Sequence, residues 1–415
     1  MIHVGRSAAC TIAILLTMAT VRTGVAQPLT VNFRGTVSLA STATDQNEQS
    51  FTVTGLSGLT WVEGTSFVAV MDNSDKLVFL DVELNADGSI GAAAIVGGLT
   101  LANAADFEGI AFTTDLRDSV FISEEGTPAV REYGRSGGAL LQSLSTPPVF
   151  FNRRSNRGFE SLARHSDGSE LWTANEEALT VDGDASSPTH GTIVRLLRYE
   201  LVNEVGAPGE QYAYEVEPMH GGNISNGRSG LVDLCQLPNG TILALERSLA
   251  FSIPDFFQNR LYELDFAGAT DVSGFTAGLV GETFVPVTKS SMWTGSLGNL
   301  EGLALGPPLT GGNRALLGIV DDGDPLSTNL LVAFELAGPV DPPCAALAPG
   351  NTNCDFAIDG LDVAAFTLAL IDPIGHAAAF PECDAACVAD VNQDGDVNVG
   401  DVDDLVACLL SAVCP

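Results

Sequence analysis

Glu108-Gly109-Ile110-Ala111-Phe112-Thr113-Thr114, then a polar turn, then Ser119-Val120-Phe121-Ile122-Ser123-Glu124-Glu125, is the stretch that decides the architecture. A small residue heads an apolar run of strand length, a turn follows, and a second apolar run ends in acid. Four more segments repeat this plan: Ser57-Gly58-Leu59 to Asp72, Glu160-Ser161-Leu162 to Asn175-Glu176, Ser229-Gly230-Leu231 to Glu246, and Glu301-Gly302-Leu303 to Asp321-Asp322. In chain order the small residue and the acid lie 14, 15, 15, 16 and 19 positions apart, and the copies start 51, 52, 69 and 72 residues apart. Short strands recurring at such periods indicate an all-β propeller, since one unit alone cannot bury its apolar face. Turns such as Ser166-Asp167-Gly168-Ser169 and Leu237-Pro238-Asn239-Gly240 would join the strands as hairpins. The longer gaps leave room for another blade around Thr192–Tyr214 or Asn259–Leu279, so six blades are expected. A β-sandwich would not explain the recurrence.

Working outward, the chain carries 18 Lys plus Arg against 52 Asp plus Glu, a net charge of −34 over 415 residues. So acidic a chain repels phosphate backbones, and no nucleic-acid partner is expected. Apolar residues make up 45%, enough for a core, which excludes a disordered chain. Residues 1–26 read as a signal peptide: Arg6 precedes an apolar run from Ala8 to Ala19, and Gly24-Val25-Ala26 offers a cleavage point. That run is too short for a membrane span, and no later segment is long enough, so a secreted or periplasmic protein without a transmembrane segment is expected. Of eight cysteines, Cys344, Cys354, Cys383, Cys387, Cys408 and Cys414 crowd the C-terminus, as in an oxidising compartment, and allow three disulfides. Cys383 and Cys387 could also start a zinc site, but no paired His follows.

Composition divides the chain into a propeller over 28–338, a Pro-rich linker over 339–348 and a small α-helical calcium-loop domain over 349–415. In the last part, Asp390, Asn392, Asp394, Asn398 and Asp401 hold positions 1, 3, 5, 9 and 12 of a twelve-residue loop, with Gly395 at the turn. Asp396 at position 7 would offer its backbone carbonyl. Asn351, Asn353, Asp355, Asp359 and Asp362 repeat the spacing 39 residues earlier, but with Phe356 at the turn and Asn351 in place of a charged first ligand, so this loop should bind calcium more weakly. Apolar residues at helical spacing follow each loop: Val363, Phe366 and Leu370, then Val402, Leu405, Val406 and Leu409. Two such repeats ending in Asp resemble a type I dockerin over about residues 349–412. The resemblance implies attachment to a cohesin-like partner, in a setting of polysaccharide catabolism. Gly360-Leu361 and Val399-Gly400 fall where dockerins present partner-reading residues.

Equivalent positions in propeller blades surround one axis, so the repeated acids should converge: Asp72, Glu108, Glu124, Glu160, Glu176, Glu246, Glu301 and Asp321. Crowded carboxylates stay ionised only with cations, and hard oxygen ligands select Ca2+. The bland alternative, acids capping strand ends in water, does not account for three Glu at one repeated position. Ser57-Gly58-Leu59, Phe107-Glu108-Gly109-Ile110, Glu124-Glu125-Gly126, Asn156-Arg157-Gly158-Phe159-Glu160, Asn175-Glu176, Glu246-Arg247 and Asn299-Leu300-Glu301-Gly302 resemble the phytase-like family, also called esterase-like activity of phytase. The resemblance implies a secreted propeller hydrolase with Glu108, Glu124, Glu160, Glu176 and Glu301 at its active centre.

Hydrolysis of a phosphoester needs cations that neutralise the phosphate and acidify a water, and guanidinium groups that hold its oxygens. Arg157 and Arg247 lie within repeat motifs and are the first candidates; Arg131, Arg195, Arg228, Arg260 and Lys289 are further ones. Asp72 and Asp321 are candidate metal ligands of the ring. No Gly-x-Ser-x-Gly elbow, phosphate-cradling Gly loop or His pair at metal spacing offers another chemistry. A calcium-dependent hydrolase of a small phosphoester is therefore expected. A non-catalytic propeller binding a glycan or protein, and a lactonase-like hydrolase of an uncharged ester, stand as alternatives.

Overall fold

A computed structural model describes residues 28–415 except 115–116, 203, 310–312, 323–327, 342–346, 356, 382, 393–396, 412–413 and 415. The expected signal peptide and the loop positions Asp394, Asp396 and Phe356 lie outside the described residues.

After β1 (Thr30–Ser38) comes a small hairpin of β2 (Thr42–Thr44) and β3 (Ser50–Thr52). The first blade is β4 (Leu56–Glu63), β5 (Ser66–Met71), β6 (Ser74–Leu84) and β7 (Ile90–Ala105). The second is β8 (Phe107–Phe112), β9 (Ser119–Glu124), β10 (Ala129–Gly134) and β11 (Leu140–Ser143). The third is β12 (Ala163–Arg164), β13 (Glu170–Ala174), β14 (Thr192–Val202) and β15 (Val205–Val216). The fourth is β16 (Arg228–Gln236), β17 (Ile242–Leu249), β18 (Phe257–Asp265) and β19 (Thr288–Gly295). The fifth is β20 (Leu300–Pro308), β21 (Arg314–Val320) and β22 (Leu330–Ala337), completed by β1 as its outermost strand. Pairing of the first strand with the last, from Thr30 opposite Ala337 to Ser38 opposite Leu330, closes the ring.

The propeller thus has five blades, not six. Thr192–Tyr214 is β14 with most of β15, the outer half of the third blade. Asn259–Leu279 is β18 followed by a long connection that leaves the fourth blade and runs along the open edge of β15. There Val272 N–H donates to the Gln211 carbonyl and Val287 N–H to that of Ala213. Buried Arg195 fixes this strap: it pairs with Asp182 at 2.7 Å and donates to the carbonyls of Val272 and Phe275. The extra sequence covers a sheet edge instead of forming a blade.

One apolar cluster fills each gap between neighbouring blades, as in Leu59, Phe67 and Val78 against Leu317, Ile319 and Leu331. The repeated small residue has a steric cause. A Cβ on Gly58 would lie 2.3 Å from the Glu108 carbonyl oxygen, and one on Gly109 would lie 2.3 Å from Leu162 N. Five inner strands make so narrow a ring that adjacent backbones touch there.

Beyond the propeller lie α1 (Asp362–Ile371), α2 (Pro373–Ala379), α3 (Ala385–Val388) and α4 (Val402–Ser411). Phe366, Ala369, Ala389, Val391, Leu405 and Cys408 form their core. Cys354–Cys383 and Cys408–Cys414 are disulfides, and Cys387 is disulfide-bonded too, which removes the zinc alternative. Such bonds fit an extracellular protein. No helix among the described residues is long and apolar enough to cross a membrane. The linker is not free at its start: Asn239 N–H donates to the Val340 carbonyl at 3.1 Å, and Arg314 bonds both Asp341 (2.8 Å) and the Pro381 carbonyl (2.6 Å).

Candidate functional site

Each inner strand starts at one mouth of the central channel, and there the chain places two tiers of polar residues. The first tier directly precedes the repeated small residue: Ser57, Glu108, Glu160, Ser229 and Glu301, all buried. The second follows the second strand of a blade. Backbone N–H groups of Asp72, Glu125, Glu176 and Asp321 donate to the carbonyls of Gly55, Asp106, Gly158 and Asn299, each three residues before the small residue of its own blade. In the fourth blade Arg247 lies opposite Gly230 and takes this place.

Two overlapping carboxylate triads result. Oxygens of Glu108, Glu125 and Glu160 lie within 4.8 Å of one another, and all three residues are buried. Oxygens of Asp72, Asp106 and Glu108 meet the same limit at the channel mouth. Ser57 Oγ donates to Glu108 Oε2 and orients it. Both carboxylate oxygens of Glu125, Oε2 of Glu160 and Oδ1 of Asp106 are buried without a hydrogen-bond partner. Burial, then Glu160 and Asp72, push Glu108 well above the usual carboxylate range. Burial, then Glu176 and Glu125, do the same to Glu160. Glu125 is raised to about 8 by burial and then Glu176, and Asp72 to about 7 by burial and then Asp106. Orphaned buried oxygens that resist ionisation are what a hard cation removed from its ligands would leave, so the donor set fits Ca2+.

Opposite stands the positive half of the site. Glu176 accepts from Arg228 Nε at 2.9 Å and Arg247 Nη2 at 2.8 Å, and pairs with Arg157 Nε at 3.0 Å. Burial opposes its charge, but Arg228, Arg157 and Arg247 prevail and hold it at about 2. Arg247 is fully buried and continues to Asn299 Oδ1 (2.7 Å) and Glu301; Asn299 in turn donates to Asp321 at 2.9 Å. Arg157 and Arg228 stay partly exposed. The turn that presents Arg157 depends on Asn156 in the left-handed region (φ 56°), which Asn tolerates. It also depends on Gly158, where a Cβ would meet the Glu125 carbonyl oxygen at 2.2 Å.

Glu108, Glu160, Asp72, Glu176, Glu301, Asp321, Arg157 and Arg247 are thus brought to one mouth. Glu124 and Arg131 are not: they pair with each other, and the neighbouring Glu125 takes the inward place. Glu246 also turns away, accepting from Tyr214 Oη (2.7 Å) and Lys289 Nζ (2.6 Å). Glu125 and Asp106 are the residues that sequence reasoning left outside the site, whereas Arg228, a further guanidinium candidate, lies in it. The signal for Glu125 was its offset from the strand end, one residue past β9 as Asp72 is one past β5 and Asp321 one past β21.

A cavity of about 920 Å3 lies at the other end of the channel. It is lined by the far ends of the inner strands, including Trp61, Phe112 and Leu305, and bordered by Asn351, Asn353, Ile358 and Phe380 of the C-terminal domain. Neither carboxylate triad borders it. In that domain the two acidic loops are built alike. Asp362 accepts the N–H groups of Asn353 (3.2 Å) and Asp359 (2.8 Å), and Asp401 those of Asn392 (3.1 Å) and Asn398 (2.9 Å). Oδ1 of Asn351, the first ligand position, is buried without a partner.

The profile of the phytase-like family, described as esterase-like activity of phytase, matches residues 52–324. No curated protein matches the chain significantly. Among solved structures, a periplasmic gluconolactonase of Pseudomonas aeruginosa shares 14% identity, covering 76% of this chain and all of its own, with a TM-score of 0.34. The calcium structure of a Trichoderma reesei carbohydrate-active enzyme of family AA12 shares 11%, over 74% and 96%, with a TM-score of 0.36. A luciferin-regenerating enzyme shares 9%, over 75% and 96%, with a TM-score of 0.32.

Proposed function

The chain belongs to the phytase-like family, and from that premise we propose that it is a secreted, calcium-dependent hydrolase of small phosphoesters. One observation carries the reading: a nest of buried carboxylates with unpartnered oxygens faces a set of guanidinium groups across one channel mouth. Guanidinium groups beside a cation site match an anionic ester better than an uncharged one.

Glu108, Glu125 and Glu160 would hold the cation, which when bound offsets phosphate charge and lowers the pKa of an attacking water. Arg157 and Arg228 hold the phosphoryl oxygens through the N–H groups they do not spend on Glu176. Glu176 and buried Arg247 keep that pair in place, so Glu176 acts as a positioning residue and not as an acid or base. Its depressed pKa leaves it no proton to give at neutral pH. Asp72 and Asp106 extend the nest to the rim of the mouth.

The C-terminal domain is proposed to bind calcium at both loops, tighter at 390–401, and to attach the enzyme to a cohesin-like partner. Exposed Leu361 and Val399, one beside each loop end, support this surface. The hydrolase reading is tested by phosphate release from p-nitrophenyl phosphate, glycerol phosphate and inositol hexakisphosphate, beside an uncharged lactone, by the calcium-loaded chain and its Glu160→Gln form. Release from at least one phosphoester is expected, falling by about two orders of magnitude in the variant. Turnover of the lactone alone would replace the reading with the uncharged-ester one.

A further inference from the structure

We propose that the nest holds two cations, not one, with Glu108 shared between an inner site completed by Glu125 and Glu160 and an outer site completed by Asp72 and Asp106. This rests on the functional reading above only for its purpose, not for its geometry. Glu108 belongs to both triads, and within each the ligand oxygens lie no more than 4.8 Å apart, the span that oxygens on opposite sides of one Ca2+ can reach.

Two further observations point the same way. Unpartnered oxygens occur on both sides of Glu108: both of Glu125 and one of Glu160 inside, and Asp106 Oδ1 outside. Glu125 is 1% and Glu160 6% exposed, so water does not satisfy them. Charge also asks for more than one ion. Asp72, Asp106, Glu108, Glu125 and Glu160 bring five carboxylates together; one divalent cation leaves a formal −3 and two leave −1. The guanidinium groups nearby do not cover that difference: Arg157, Arg228 and Arg247 are matched in number by Glu176, Glu177 and Glu301, with which they pair.

The two sites differ in access. All three inner ligands are buried, whereas Asp72 and Asp106 are half-buried at the mouth. The inner ion is therefore the slowly exchanging one, and the outer ion exchanges with solvent and meets the phosphoester first.

Mn2+ alone, added to the metal-free full chain, reads this directly. A carboxylate shared by two Mn2+ ions gives an exchange-coupled electron paramagnetic resonance signal, while ions in the separate C-terminal loops give uncoupled ones. Wild type should show the coupled signal. Asp106→Asn and Glu125→Gln should each lose it together with about one bound ion, and Glu108→Gln should lose it with about two. Circular dichroism and the unfolding midpoint check each variant. An uncoupled spectrum from wild type, which needs no variant to fold, overturns the proposal. So does a folded Asp106→Asn protein with an unchanged ion count. Coupled ions without phosphate release would refute the hydrolase reading and leave the two-ion centre standing.

Discussion

Arg157 and Glu176 show how one contact divides labour within the site. Arg157 remains partly exposed beside its carboxylate, so its remaining N–H groups can reach an incoming phosphate, while Glu176 is sealed beneath. Arg157→Ala should raise KM for a phosphoester by about tenfold or more, the cost of a charged hydrogen bond, with kcat less affected. Glu176→Gln should also raise KM, by releasing Arg157 and Arg228 together, and should lower the unfolding midpoint, since Arg247 then lies buried beside a neutral amide. A fall in kcat alone for Glu176→Gln would instead make it a proton-transfer group. At this scale the sequence was legible where a motif fixed the register and silent where two acids adjoined. Glu108 and Glu160 directly precede a small residue and could face only the channel. Glu124 and Glu125 are neighbours, so they point to opposite sides, and only the structure decides that Glu124 goes to Arg131. The same alternation separates Glu246 from Arg247.

Strands and turns follow from local chemistry more than from charge. The inner strands of a five-bladed ring need a small residue at their point of contact, which is why the pattern was visible without any other chain for comparison. Gly109→Ala would force a methyl group to within 2.3 Å of Leu162 N, a backbone atom that cannot swing aside. It should destabilise the propeller by about 1–3 kcal/mol. Gly137→Ala is the matched control, since no atom lies within 4 Å of the place its methyl group would take. Thermal or denaturant unfolding of the two checks this, and equal midpoints would remove the steric account of the repeat. The blade count was less legible for an identifiable reason. The connection between β18 and β19 pairs with β15 over Val272 and Val287, and in sequence such a strap looks like the start of another blade. In the two acidic loops, Asp362 and Asp401 accept from matching backbone N–H groups, a likeness that the 39-residue repeat of acidic spacing announces.

The whole molecule carries a charge of −34, and part of that burden sits in one buried nest. This couples stability to pH and to metal. Burial raises Asp72 to about 7 and Glu125 to about 8, above their ordinary values near 4. A carboxylate raised on folding costs no stability at low pH; the cost grows once pH exceeds the unfolded value and levels off above the folded one. The metal-free protein should therefore lose unfolding midpoint as pH rises from about 5 to 8, and calcium should largely abolish the loss. A metal-free midpoint that is flat or rising over that range would mean that the nest ionises freely. Residues of the C-terminal domain border the cavity at the far end of the channel, away from both carboxylate triads. The claim that joins these features is cation-dependent phosphoester hydrolysis at the carboxylate mouth. Its most direct measurement is phosphate release from p-nitrophenyl phosphate by the full chain, first calcium-loaded, then chelated, then resupplied with calcium. Release that stops on chelation and returns with calcium is predicted; release that continues unchanged in the chelated protein, or none in the loaded one, would contradict it.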